Sequence, residues 1–200
     1  MKRVLEFVLA AVGLVITAPL VVAAAVAVRL ESPGPVIYSG PRVGLHGRPF
    51  RIHKIRTMRA SDGGANVTAG DDPRITRVGR FLRRTRLDEL PQLYNVLVGE
   101  MSLVGPRPED PKYVAMYTPQ QRKVLDVRPG ITGPAALAFL NEEELLRGGD
   151  AESVYVTSVM PRKLAIDLDY VSHASVGGDL RIMAGTVARM VGRALTRGSG

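Results

Sequence analysis

Two hundred residues suit one domain, and the 46% that are hydrophobic are enough for a modest core. The 27 Lys and Arg against 19 Asp and Glu leave a net charge of +8, which suits a polyanion: nucleic acid, an anionic membrane surface or a phosphorylated small molecule. No cysteine is present, which excludes a disulfide framework, a thiolate metal site and a cysteine nucleophile, and His46, His53 and His173 are too scattered for zinc.

Lys2 and Arg3 open the chain, and no charge then appears from Phe7 to Val28, close to the ~20 residues that cross a hydrocarbon core as a helix. Three readings fit. One is a membrane span, another a secretory signal in which Ala23-Ala24-Ala25 imitates a cleavage region, and the third a helix that enters and leaves by the same face. Basic residues flank both ends, with Arg29 closing the run, so charge favours neither side, as a re-entrant helix requires. Pro19 near the middle removes a backbone hydrogen bond and bends the helix, which a kinked span accommodates equally well.

Glu31 to Pro35, with two prolines and Gly34, forms the exit. Val36-Ile37-Tyr38 and Phe50-Arg51-Ile52 read as two short strands of a hairpin whose loop contains Gly44 and Gly47. The run 53–60, HKIRTMRA, adds Lys54, Arg56 and Arg59; a solvated basic edge is the plain reading of Arg59. Residues 61–72 are polar and glycine-rich, a surface loop in which Asp71 and Asp72 imitate a metal pair but, as loop acids, are expected to be solvated.

Residues 76–109, TRVGRFLRRTRLDELPQLYNVLVGEMSLVGPRPE, set two adjacent carboxylates behind a run of arginines. Leu87, Leu90, Tyr94 and Leu97 recur at helical spacing, with Thr85 placed as the N-cap and Asp88 as the acid of a capping box. This predicts a helix with Asp88 and Glu89 in its first turn, where the macrodipole favours their ionised forms and Pro91 is tolerated. An ionised carboxylate can attack phosphorus or hold a metal. Arg83, Arg84, Arg86 and Arg107 could neutralise a polyanionic substrate that would otherwise repel it. The plain alternative is a surface helix whose acids pair with neighbouring arginines. Against it, Gly99, Gly105, Pro106 and Pro108 suggest a fixed loop carrying Arg107 back to the site.

Thr118-Pro119-Gln120-Gln121 reads as a helix start with a capping box. In 127–133, VRPGITG, Arg128 stands beside a proline and two glycines, where the backbone can approach an anion closely. Asn141 to Glu144 reads as a solvated acidic helix face. From Asp179 onward, Ile182, Met183, Val187, Met190, Val191 and Ala194 share one side of a helix, with Arg189, Arg193 and Arg197 on another. Such a basic amphipathic helix either packs on the core or lies on an anionic membrane surface. Gly198-Ser199-Gly200 reads as a flexible tail.

The stretch from Arg77 to Pro108 resembles the active-site block of the bacterial sugar transferases, the small monotopic phosphoglycosyl transferases. Two further motifs of that family resemble Lys54-Ile55-Arg56-Thr57-Met58 and Arg128-Pro129-Gly130-Ile131-Thr132-Gly133 here. The fold expected is α+β: a mainly α-helical catalytic domain at residues 31–197 with a short β-hairpin, after a re-entrant membrane helix at 1–30. The family breaks that helix at a Ser-Pro pair; here Ala18 precedes Pro19, and Thr17 is the nearest hydroxyl.

The resemblance implies transfer of a phosphosugar from a UDP-sugar to a membrane polyprenyl phosphate, undecaprenyl phosphate in particular. The place implied is the cytoplasmic face of the bacterial plasma membrane, at the first membrane step of glycoconjugate assembly. Asp88 would be the nucleophile that becomes esterified, Glu89 the ligand of Mg²⁺, and Lys54, Arg83, Arg107 and Arg128 the phosphate-binding cations. The family continues its Gly-Ile-Thr-Gly motif with Trp-Ala-Gln, whereas Pro134, Ala135 and Ala136 follow here, a departure placed where sugar or lipid selectivity would be set. The rival class is a membrane-anchored, non-catalytic binder of anionic lipid or nucleic acid. Six Tyr, four Phe and no Trp offer little for base stacking, so nucleic acid is not an expected partner.

Overall fold

The computed structural model describes residues 2–59, 72–147 and 150–196, with side chains to 189. Most of the loop expected at 61–72 and the tail at 198–200 lie outside them. Helix α1 (Lys2–Glu31) is followed by the antiparallel hairpin β1 (Ile37–Val43) and β2 (Pro49–Ile55), then α2 (Arg77–Thr85), a 3-10 turn (Leu87–Glu89) and α3 (Gln92–Val98). Strand β3 (Ser102–Val104), α4 (Pro111–Val114), β4 (Gly130–Thr132), α5 (Pro134–Ala138), α6 (Glu142–Leu145) and α7 (Ala151–Val154) precede two longer helices, α8 (Met160–His173) and α9 (Val176–Thr196). The molecule is α+β and mainly helical, with the hairpin and the apolar N-terminal helix expected. The hairpin is longer than its two apolar triplets: Ile37 pairs with Ile55 and Arg42 with Phe50.

Helix α1 is long and apolar enough to cross a membrane, and it continues through Pro19. The Thr17 hydroxyl donates to Gly13 O at 2.7 Å, two residues short of the Val15 carbonyl that Pro19 cannot serve. Both ends of α1 are fastened to the domain. Lys2 pairs with Asp179 of α9 at 2.7 Å, and the buried Glu6 accepts from the Ser102 hydroxyl. Arg3 donates to the carbonyls of Val96, Leu97 and Met101, where the C-terminal end of the α3 dipole favours a cation. At the far end, Glu31 accepts the backbone N–H groups of Arg77 and Val78 at 2.8 and 2.9 Å, satisfying the first orphan donors of α2.

Between these ends one stripe of α1 packs inward. Ala10 joins Phe50, Ile52, Val96 and Met101, while Ala24 and Val28 join Ile55 and Leu82. The opposite stripe, including Val8, Val12, Val15, Ile16, Leu20, Val22 and Val26, is exposed. A third cluster, with Tyr113, Tyr117, Phe139, Tyr155 and Leu164, fills the remainder of the domain under α8.

Asn95 pins α3 to the hairpin. It is 0% exposed, accepts from His53 N at 3.2 Å, and donates to Arg51 O at 2.8 Å and Glu100 Oε2 at 2.7 Å. Asn95→Ala removes all three bonds from a buried side chain, so we expect a loss of about 3 kcal/mol, read as a lowered denaturation midpoint.

Candidate active site

The paired acids are placed by a helix that stops. Thr76 caps α2, its hydroxyl accepting from Gly79 N at 2.9 Å. Thr85 is the last residue of α2 rather than the cap of the next helix: its hydroxyl turns back to Phe81 O and Leu82 O at 2.9 and 3.2 Å. Arg86 then takes the left-handed conformation (φ 57°), and Leu87–Glu89 form a 3-10 turn before Pro91 leads into α3. The expected single helix is therefore two helices with a break between them, and the break turns both carboxylates inward. Asp88 and Glu89 are each 7% exposed.

Glu89 is held by cations from three directions. Its Oε1 accepts from Arg107 Nη2 at 2.7 Å and from Lys54 Nζ at 3.1 Å; its Oε2 accepts from Arg86 Nη1 at 3.4 Å. Burial pushes this carboxyl up, but Arg107, Lys54 and Arg86 together hold it well below the usual range. The same contacts act on the bases: Glu89 raises the Arg107 guanidinium, whereas burial pulls Lys54 down against the opposing pull of Glu89.

Asp88 is the complement. No described side chain or backbone group donates to it, and burial, then the charge on Glu89, pushes it up to about 6 despite Lys54, Arg83 and Arg107 nearby. The two adjacent acids thus differ in character: one is firmly ionised and fully paired, the other poised and open.

Arg107 reaches Glu89 because two glycine motifs zip together. β3 and β4 run parallel, with Ser102 opposite Gly130 and Val104 opposite Thr132, continued by Gly105 N to Thr132 O (2.9 Å) and Gly130 N to Pro106 O (2.8 Å). A Cβ on Gly130 would lie 2.1 Å from Gly105 N, so only glycine permits this approach.

The other expected phosphate ligands divide. Arg83 lies close enough to influence Asp88, but its guanidinium is engaged by Glu143, with Nε at 2.9 Å from Oε1. Arg84 is exposed on α2. Arg128 is exposed and donates through Nε to Gly99 O at 2.9 Å, apart from the cations on Glu89. The acidic run at 142–144 is not simply solvated: besides Glu143 on Arg83, Glu142 accepts from Lys163 at 2.8 Å. No local signal announces these pairings, whose partners are 60 and 21 residues apart in the chain. Asp72 pairs with Arg74 at 2.6 Å; Asp71 lies outside the described residues.

An oxygen-preferring ion such as Mg²⁺, expected on Glu89, meets a carboxylate whose two oxygens already accept from three cations. Among the described residues no group of three or more acidic, His or Cys side chains forms a ready-made metal site. Asp88, free of donors, has the chemistry that fits such an ion together with substrate phosphates, since Mg²⁺ is commonly held by one or two carboxylates and keeps several waters.

Asp88 and Glu89 thus form a buried acid pair, with Lys54, Arg86 and Arg107 gathered on Glu89. Comparison with known families gives a match to the bacterial sugar transferases over residues 1–193. The chain belongs to that family. Similar family members include a UDP-glucose:undecaprenyl-phosphate glucose-1-phosphate transferase of Caulobacter vibrioides, 44% identical over 95% of this chain and 69% of the relative. A protein of Escherichia coli with the same description is 38% identical over 94% of this chain and 39% of its own length. A UDP-N-acetylgalactosamine-undecaprenyl-phosphate N-acetylgalactosaminephosphotransferase of Aeromonas hydrophila is 43% identical over 66% of this chain. The chain spans only 32% of that last relative.

Proposed function

We propose that this bacterial sugar transferase moves a sugar-1-phosphate from a UDP-sugar to a polyprenyl phosphate, undecaprenyl phosphate in particular, through a phosphosugar ester on Asp88. The observation that carries this is the contrast within one dipeptide: a buried, donor-free Asp88 beside a Glu89 that gathers Lys54, Arg86 and Arg107. The choice of acceptor is supported by the three relatives named above, each described as transferring to undecaprenyl phosphate. A non-catalytic anionic-lipid binder would have no use for two acids withdrawn from solvent among the cations.

In the first half-reaction an Asp88 oxygen attacks the sugar-bearing phosphorus. The P–O bond to the uridine monophosphate breaks, and that group leaves with the electron pair. In the second, an oxygen of the lipid phosphate attacks the same phosphorus and the Asp88 carboxylate leaves. Arg107 and Lys54, oriented by Glu89, neutralise the phosphoryl oxygens, which matters because the attacking group is itself an anion. Arg83 joins them once Glu143 yields to substrate. Bound Mg²⁺ would neutralise further phosphate charge as a Lewis acid.

The attachment of both ends of α1 to one domain supports a helix that dips into the bilayer from a single side, with its exposed apolar stripe in lipid; a nucleotide-sugar donor makes the cytoplasmic side the one proposed. Such seating puts Asp88 near the headgroups, where an acceptor phosphate lies. The test is incubation of the chain in lipid bilayers with a panel of nucleotide sugars and a polyprenyl phosphate. Release of uridine monophosphate with a lipid-linked phosphosugar is expected; no monophosphate from any UDP-sugar overturns the reading.

A further inference from the structure

Away from the acids, α2 carries a stripe that catalysis does not use. Arg77, Arg80, Phe81 and Arg84 stand at i, i+3, i+4 and i+7, all exposed, with Phe81 at 50%. The opposite face of α2, with Val78 and Leu82, packs on Val21, Ala24 and Val28 of α1, and Glu31 grips its first turn. The stripe therefore lies beside the C-terminal end of the apolar helix.

None of these three arginines has an acidic partner among the described residues, whereas the cations near the other end of α1 are engaged. Lys2 pairs with Asp179, Arg3 covers the α3 carbonyls, and Arg128 bonds Gly99 O. This end of α1 thus presents unpaired basic charge around a protruding aromatic ring. In water the ring is poorly accommodated. At a bilayer surface it can sink to the acyl boundary while guanidinium groups meet phosphates.

We propose that this face of α2 docks on anionic phospholipid headgroups, holding the adjoining Asp88 turn at the depth of the acceptor phosphate. The proposal rests on the membrane seating of α1. Each arginine close to an anionic surface contributes about fivefold to its hold there, and that hold weakens as salt shortens the screening distance from about 10 Å to about 3 Å.

Because the chain has no cysteine, Phe81→Cys gives one attachment point for an environment-sensitive fluorophore, and Val15→Cys gives a second on the exposed stripe of α1. The labelled full chain is reconstituted into vesicles of phosphatidylcholine with or without phosphatidylglycerol. The expected result at position 81 is a blue-shifted emission and several-fold protection from an aqueous quencher in phosphatidylglycerol vesicles only. Molar salt should reverse it, and Arg77→Gln/Arg80→Gln should abolish it, with position 15 protected throughout. Equal exposure of position 81 in both lipids with position 15 protected overturns the proposal alone. A shift produced in phosphatidylcholine vesicles by inorganic phosphate assigns the stripe to soluble phosphate and also overturns it. Exposure at both positions overturns the membrane seating and the proposal together.

Discussion

Asp88→Asn is expected to lower uridine monophosphate release by roughly 10³-fold or more and to leave no phosphosugar on the protein, because the amide keeps the shape and removes the nucleophile. Denatured protein analysed by mass after exposure to a UDP-sugar checks the second point. A mass increase of one phosphosugar in the variant would show that another group is esterified. The same substitution carries a stability signature in metal-free buffer. Burial raises Asp88 from 3.8 to about 6, so between those values the folded chain holds a proton that the unfolded chain has lost. Stability contributed by that proton is present below pH 4 and is lost as pH rises through about 6. The rise corresponds to about 3 kcal/mol. Asp88→Asn should therefore be the more stable protein above pH 6 by up to that amount, with no difference at low pH. A constant difference across the range would mean that Asp88 is not perturbed.

Glu89→Gln is expected to act on both stability and ionisation. It leaves Lys54 and Arg107 crowded together without their anion, a loss of about 3 kcal/mol for a broken, largely buried ion pair. Removing the negative charge beside Asp88 also moves the Asp88 transition below pH 6, since Glu89 is the second cause of its elevation. Activity should fall with stability, because the two bases no longer point at the phosphoryl group. Denaturation curves of the metal-free variant across pH read both effects. An unchanged midpoint together with an unmoved transition would place Glu89 outside the cation cluster.

Features governed by neighbours along the chain were legible from the residues. The apolar run became α1, the β-rich triplets marked the hairpin, and the Thr118–Gln121 capping box closes reciprocally, with Thr118 N to Gln121 Oε1 at 2.9 Å and Gln121 N to Thr118 Oγ1 at 3.2 Å. The spacing of Thr85 to Asp88 suits a cap. A threonine hydroxyl can equally return to the preceding turn, and the left-handed Arg86 that ends α2 carries none of the glycine or asparagine that usually marks such a stop. The parallel pairing of β3 with β4 joins segments too short for strand periodicity to register.

Residue chemistry and order alone settled that two acids adjoin, that arginines precede them, and that glycine-proline motifs accompany them. Which acid is neutralised and which stands open was settled only in three dimensions. Lys54 and Arg107 lie 35 and 18 residues from Glu89 in the chain yet within 3.1 Å of it in space. Ionisation depends on distance and on exclusion of water, and neither is a property of sequence spacing.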